Sequence, residues 1–242
     1  MENMEFKKWV QTQIKTSLVP IFNCNGFKKG RTNCFVRERT NIVQFLQFEI
    51  KQFKVRLYGG ISPIYFPLQA LPYYRFKLSA NESNLCANGI NVPILIHSKP
   101  IVTPEAISQW AELESIILDS IFPQFDEISN LNELMSASDY DVPDNDVWNG
   151  IKWYAQGVYK CLSGDFKEGM EQLNEAYLCK QGYLKYVKDT GCTFDPQKDQ
   201  LAAIFYYIDL LHKAMLSNCF SKESFLDVYE CICSDSKKWY KL

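Results

Sequence analysis

Residues 25–52, NGFKKGRTNCFVRERTNIVQFLQFEIKQ, decide the fold of the first half of this chain. Asn25-Gly26 reads as a turn. Residues 33–37, 42–50 and 53–58 are rich in Val, Ile, Phe and Tyr. Thr40-Asn41 and the neighbourhood of Lys51-Gln52 are turn chemistry between them. The pattern predicts a three-stranded antiparallel meander, closed by Gly59-Gly60 and Pro63. Period two puts Arg37 and Arg39 on one side of the first strand, with Asn33 and Phe35, and Cys34 and Val36 on the other. A half-solvated antiparallel sheet gives this alternation with no function at all. A basic, aromatic-edged patch of Lys28, Lys29, Arg31, Arg37 and Arg39 that docks an acidic partner gives it too.

Working outward, Phe6, Trp9, Val10, Ile14, Leu18 and Ile21 recur at helical spacing, and Pro20 predicts the end of that helix. Residues 61–91 read as irregular, with Pro63, Pro67, Pro72 and Asn88-Gly89, and residues 91–96 are a candidate fourth strand. Thr103-Pro104-Glu105 is a helix start, with a hydroxyl cap, proline in the first position and an acid behind it. That helix is expected to run to about Phe122, before Pro123, and a short one to cover 127–135. SASDYDVPDND, residues 136–146, reads as an acidic linker. Residues 147–179 and 199–240 then read as helical, with breaks at 163–165, 188–196 and 217–221. Leu201, Ile204, Phe205, Ile208, Leu211 and Met215 form one apolar stripe, and Phe225, Val228, Tyr229 and Ile232 another. The expected architecture is α+β: an antiparallel sheet flanked by helices over residues 1–135, the linker, then an all-α region over 147–242.

The chain has 242 residues, 47% of them hydrophobic, which suffices for a packed core and argues against disorder. A net charge of −2 excludes a polycation built for nucleic acid. The charge is unevenly spread. Residues 1–60 carry 11 Lys+Arg and 4 Asp+Glu, whereas residues 104–150 carry 11 Asp+Glu and no Lys or Arg. Such segregation points to segments that face each other or recruit charged partners. The acidic segment is itself a candidate occupant of the basic face, in which case the two neutralise each other within one chain. The nine cysteines are odd in number and irregularly spaced. The opening MENMEFKKWVQTQ lacks an apolar core of signal-peptide length, so reduced thiols in a cytoplasm are expected. No apolar run has the length of a membrane span.

Motifs for catalysis are scarce. His97 and His212 are the two histidines, and no G-x-S-x-G elbow accompanies them. His97 reads as a strand-end residue and His212 as a partly buried structural one. Cys231-Ile232-Cys233 is the one close cysteine pair, and residues two apart on a helix point to different faces. The acidic linker lacks the glycine and terminal acid of a calcium loop. Phosphate-loop and dinucleotide fingerprints are absent. No cofactor and no metal are expected, and no catalytic residue is singled out.

Two resemblances add to this. Gly26-Phe27-Lys28-Lys29, then Phe35 and Arg37, the strand IVQFLQF and the pair Gly60-Ile61 resemble the domain of unknown function 4304 family, over roughly residues 5–135. The leading helix and the Trp110 helix fit the same pattern. The resemblance implies a helix-flanked antiparallel sheet and brings no activity or catalytic residue with it. Trp153, Gly157, Gly164-Asp165-Phe166, Gly169, Leu173 and Ala176 sit at the offsets of a tetratricopeptide-like helical hairpin. Gln156, Lys160 and Gln181 depart from that pattern, and residues 199–242 hold no second copy.

The functional expectation is a cytoplasmic, non-enzymatic protein-interaction module that meets an acidic protein surface, one version being an immunity-type protein that blocks a toxin. The alternatives are an enzyme with a pocket between the sheet domain and the helical region, and a nucleic-acid binder using the basic sheet face.

Overall fold

A computed structural model of the chain describes residues 2–30, 33–51, 54–67, 90–92, 104–137, 146–191, 194–197, 199–217 and 220–240. Two compact units result. One gathers Met1–Ser62 and Pro72–Ser138; the other gathers Pro63–Leu71 and Asp139–Tyr240. Most of the expected linker, 138–145, lies outside the described residues; its first two residues end a helix.

The first unit opens with α1 (Glu2–Gln13), a π turn over Ile14–Leu18, and α2 (Val19–Cys24), one after another without a break. The helix therefore passes straight through Pro20, where the sequence predicts its end. In the π turn the Val19 N–H bonds Ile14 O, one residue further back than in an α-helix. The wider turn carries the carbonyl with which a proline ring would collide out of its way. The same device recurs later. α3 (Pro104–Ser115) runs into a π stretch over Ile116–Ile121 and on into α4 (Phe122–Glu127), past Pro123, with the Phe122 N–H on Ile117 O. A short α5 (Leu131–Ala137) follows.

Between these helices lies a five-stranded antiparallel sheet in the order β1 (Lys28–Lys29), β2 (Cys34–Arg39), β3 (Ile42–Lys51), β4 (Lys54–Pro63), β5 (Ile90–Val92). The predicted meander is β2–β3–β4. Its glycines Gly59-Gly60 lie inside β4 rather than closing it. The remainder of the candidate fourth strand, residues 93–96, lies outside the described residues. Arg39 pairs with Ile42, so β2 and β3 are joined by Thr40-Asn41 alone. Asn41 takes φ 60°, a left-handed conformation that asparagine tolerates. Gly26 ends α2 at φ 78°, with the Phe27 N–H returning to Phe22 O.

The core of this unit is aromatic. Phe22 lies 4.5 Å from Phe35 by ring centroids, and Phe27 stacks on Phe122 at 5.4 Å. Trp9 meets Trp110 edge-on at 5.9 Å, which ties α1 to α3. Cys34, Phe35, Val36 and Arg37 are all buried. Both faces of β2 are thus covered along these four residues, and the half-solvated sheet expected there does not hold for them.

The second unit is helical: α6 (Asp146–Leu162), α7 (Phe166–Thr190), α8 (Gln200–Met215) and α9 (Lys222–Tyr240). α6 and α7 form a hairpin around Gly164, with Asp165 capping α7 through the Glu168 N–H. Their backbones touch. A Cβ on Gly157 would lie 2.9 Å from Gly169 O, and one on Gly169 would lie 2.4 Å from Cys161 Sγ. Ile61–Pro63, expected to be irregular, end β4, whereas Ile64, Tyr65 and Phe66 are irregular as expected and are core residues of this unit. The Tyr65 hydroxyl donates to Ala155 O and the Tyr154 hydroxyl donates to Tyr65 O, both at 3.0 Å, with the rings perpendicular.

Candidate functional site

The basic patch expected on the sheet divides once its residues are placed. Lys28 and Lys29 form the edge strand β1 and are exposed, and Arg39 at the end of β2 is exposed. Arg31 lies outside the described residues. Arg37 does not belong to the surface at all: its side chain is only 5% exposed. The register explains this. Arg37 pairs with Gln44, and Phe35 two residues earlier on the same face packs against Phe22 of α2. The face that carries Arg37 is therefore the one the helices cover.

Inside, the guanidinium is engaged on three sides. Nε donates to Gln44 Oε1, Nη1 to Asn25 O at 3.1 Å, and Nη2 to Asp126 Oδ1 at 2.7 Å. Its carbon also sits 4.8 Å from the centroid of the Phe27 ring. Gln44, fully buried, passes the connection on, donating from Nε2 to Phe125 O and Ile128 O. Burial lowers the Arg37 pKa from its ordinary value, and the Asp126 hydrogen bond and charge oppose that shift. Asp126 also stands 4.0 Å from Arg39. The acidic segment thus reaches the basic sheet: α4 is fastened to β2 and β3 by an ion pair and two glutamine bonds. Gln44 and Asp126 escape a reading of the sequence. The one available signal for Gln44 is a polar residue placed opposite Arg37 in the middle of an apolar strand.

On α3, the π stretch after it, α4 and α5, Glu112, Asp119, Asp126, Glu127 and Glu133 are exposed. On α1, the π turn after it and β1, Lys7, Lys8, Lys15, Lys28 and Lys29 are exposed. Among the described residues, and apart from exposed Glu38 on β2, the exposed charge of this unit is therefore sorted by sign along the chain.

In the second unit His212 lies flat on Tyr177, ring centroids 3.5 Å apart and planes 2° from parallel. Lys180 donates to Asp209 beside them. Burial holds the His212 pKa below its ordinary value, with Asp209 raising it and Lys180 lowering it. Face-to-face stacking leaves the imidazole nitrogens at the ring edge, so Tyr177 supports the ring without exchanging a proton with it. His97 lies outside the described residues. Cys161 is buried, and burial pushes its thiol up to about 12, far from the thiolate a nucleophile requires. Cys231 is exposed and Cys233 half-buried on α9. Among the described residues no three of His, Cys, Asp and Glu converge to hold a metal ion, and no helix is long and apolar enough to cross a membrane. No family model, curated protein or solved structure matches the chain.

Proposed function

We propose that this chain is a non-enzymatic protein-interaction module of a reducing cytoplasm that captures a charged protein partner. The observation that carries the reading is the sorting of exposed charge in the first unit. Five carboxylates, one of them Asp126 already paired with Arg37, stand between Pro104 and Ala137 in a segment without Lys or Arg, and five lysines stand on α1, the π turn after it and β1. A surface sorted this way steers a charged partner and fixes its orientation. An acidic partner would meet Lys28, Lys29 and Arg39; a basic one would meet the carboxylates. An immunity-type protein that captures a toxin is one version of such a module. The helix–sheet–helix order of the first unit is in keeping with the resemblance to the domain of unknown function 4304 family, from which no activity follows.

The test is affinity capture from nuclease-treated native lysate, with mass spectrometry, by the wild type and two charge reversals, Lys28→Glu/Lys29→Glu and Glu112→Lys/Asp119→Lys. The expected result is one stoichiometric protein retained by the wild type and lost from one of the variants. An empty capture, or one that both variants leave unchanged, refutes the reading. Retention seen only when the nuclease is omitted moves the assignment to nucleic acid.

A further inference from the structure

The buried side of the α3 helix is conventional: Trp110, Leu113, Ile117 and Ile121 pack inward. Its outer side is not. Ile107 is 57% exposed and Leu118 40%, and Ala111 between them is exposed as well. Residues four and eleven apart on a helix share one side. The three therefore line one flank of the helix beside its buried side over about three turns, with exposed Ser115 between Ala111 and Leu118, and Leu118 in the π stretch. Acids border it. Glu112 and Asp119 are exposed, and Glu114 is held at the ridge by the Trp110 indole N–H at 2.6 Å. Among the described residues, Ile107 and Leu118 are the exposed large hydrophobic side chains of the first unit.

We propose that this ridge docks an amphipathic helix of a partner protein, its apolar stripe laid along Ile107, Ala111 and Leu118 and its lysines and arginines set against Glu112, Glu114 and Asp119. The proposal rests on the interaction reading above and gives that partner its chemistry. Helical occupancy follows from the ridge itself, since side chains at this spacing seat in the grooves of a second helix. Basic flanks follow from charge complementarity, because residues 104–150 carry no Lys or Arg. A second copy of this chain is the poorer fit. Ridge against ridge sets acids against acids, and the lysine-bearing α1 and β1 offer no large exposed apolar side chain among the described residues.

The probe is a fluorescent peptide of about 14 residues, long enough to span the ridge, built from Leu, Ala and Lys with the leucines at matching helical spacing. Fluorescence anisotropy should show saturable binding that Ile107→Ser/Leu118→Ser weakens about tenfold or more. Raising the salt from about 0.05 to about 0.5 M should weaken the wild-type complex further. Both substituted side chains are exposed, so circular dichroism should stay that of the wild type. Should that variant misfold, Glu112→Gln/Asp119→Asn keeps the apolar ridge and should weaken binding while flattening the salt dependence. Equal binding of a scrambled peptide, or of the serine variant, overturns the proposal. So does a dimer in light scattering that the serine variant dissociates, which makes the occupant a second copy. If the peptide fails to bind while lysate capture persists in the serine variant, this surface is wrong and the interaction reading stands; failure of both overturns both.

Discussion

Replacing Arg37 with glutamate should unfold the first unit, whereas the same change at Arg39, two residues along the same strand, should scarcely be felt. Arg37→Glu removes the donors to Gln44 Oε1 and Asn25 O. Gln44 is fully buried, and an orphaned buried acceptor costs about 1–3 kcal/mol. Asp126 is 57% exposed, so water takes over much of its solvation and its lost ion pair adds little. The larger cost is the new carboxylate, left in a buried site beside Asp126 without a cation; an uncompensated buried charge costs about 3–5 kcal/mol. The total, about 5 kcal/mol or more, is comparable with the whole stability of a small domain, about 5–15 kcal/mol. Arg39 is 45% exposed and only 4.0 Å from Asp126, so Arg39→Glu should cost no more than about 1 kcal/mol. Urea unfolding followed by far-UV ellipticity measures both. Arg37→Met is the control that removes the donors without adding a charge, and it should fall between them. An Arg37→Glu variant with the midpoint of the wild type would refute the buried network, and would return Arg37 to the surface.

Other outcomes are as open to measurement. His212 has its pKa depressed from an ordinary value of 6.5, so its contribution to stability is present above that value and lost as the pH falls below it. The thermal midpoint should therefore drop between about pH 7.5 and about pH 5.5, and His212→Phe, which keeps a ring on Tyr177, should reduce that drop; an unchanged slope would refute the assignment. Gly157→Ala places a methyl 2.9 Å from Gly169 O and 2.8 Å from Leu173 Cγ. It should cost about 1–3 kcal/mol by overpacking. A Cβ at Gly164 meets nothing within 4 Å; Gly164→Ala there should cost about 1–2 kcal/mol through its left-handed φ alone. Maleimide labelling read by mass spectrometry should modify Cys24 and Cys231, which are exposed, and spare buried Cys161 until the chain unfolds.

Much of the local structure is legible in the sequence because it is decided locally. The alternation over residues 33–58, the Thr40-Asn41 turn and the Asp165 cap each depend on residues within a few positions of one another. What lies on either side of an element is not decided locally. Period two puts Arg37 and Arg39 on a common face of β2, yet it contains nothing about what covers that face; the answer arrives 89 residues later, with Asp126. The prolines teach the same lesson. Pro20 and Pro123 forbid an ordinary α-helical turn, but the apolar face running through Leu18 and Phe22, and through Ile121 and Phe125, is buried on both sides of each proline. Burial of that continuous face favours a π turn over a break. The placing of Ile64–Phe66 among the helices of the second unit likewise rests on Tyr154 and Ala155, about ninety residues away. Sequence alone determined the helix–sheet–helix order, the three central strands and the segregation of charge. Which charges are buried and which stay exposed was fixed by the tertiary fold, because burial is a property of contacts between segments far apart in the chain.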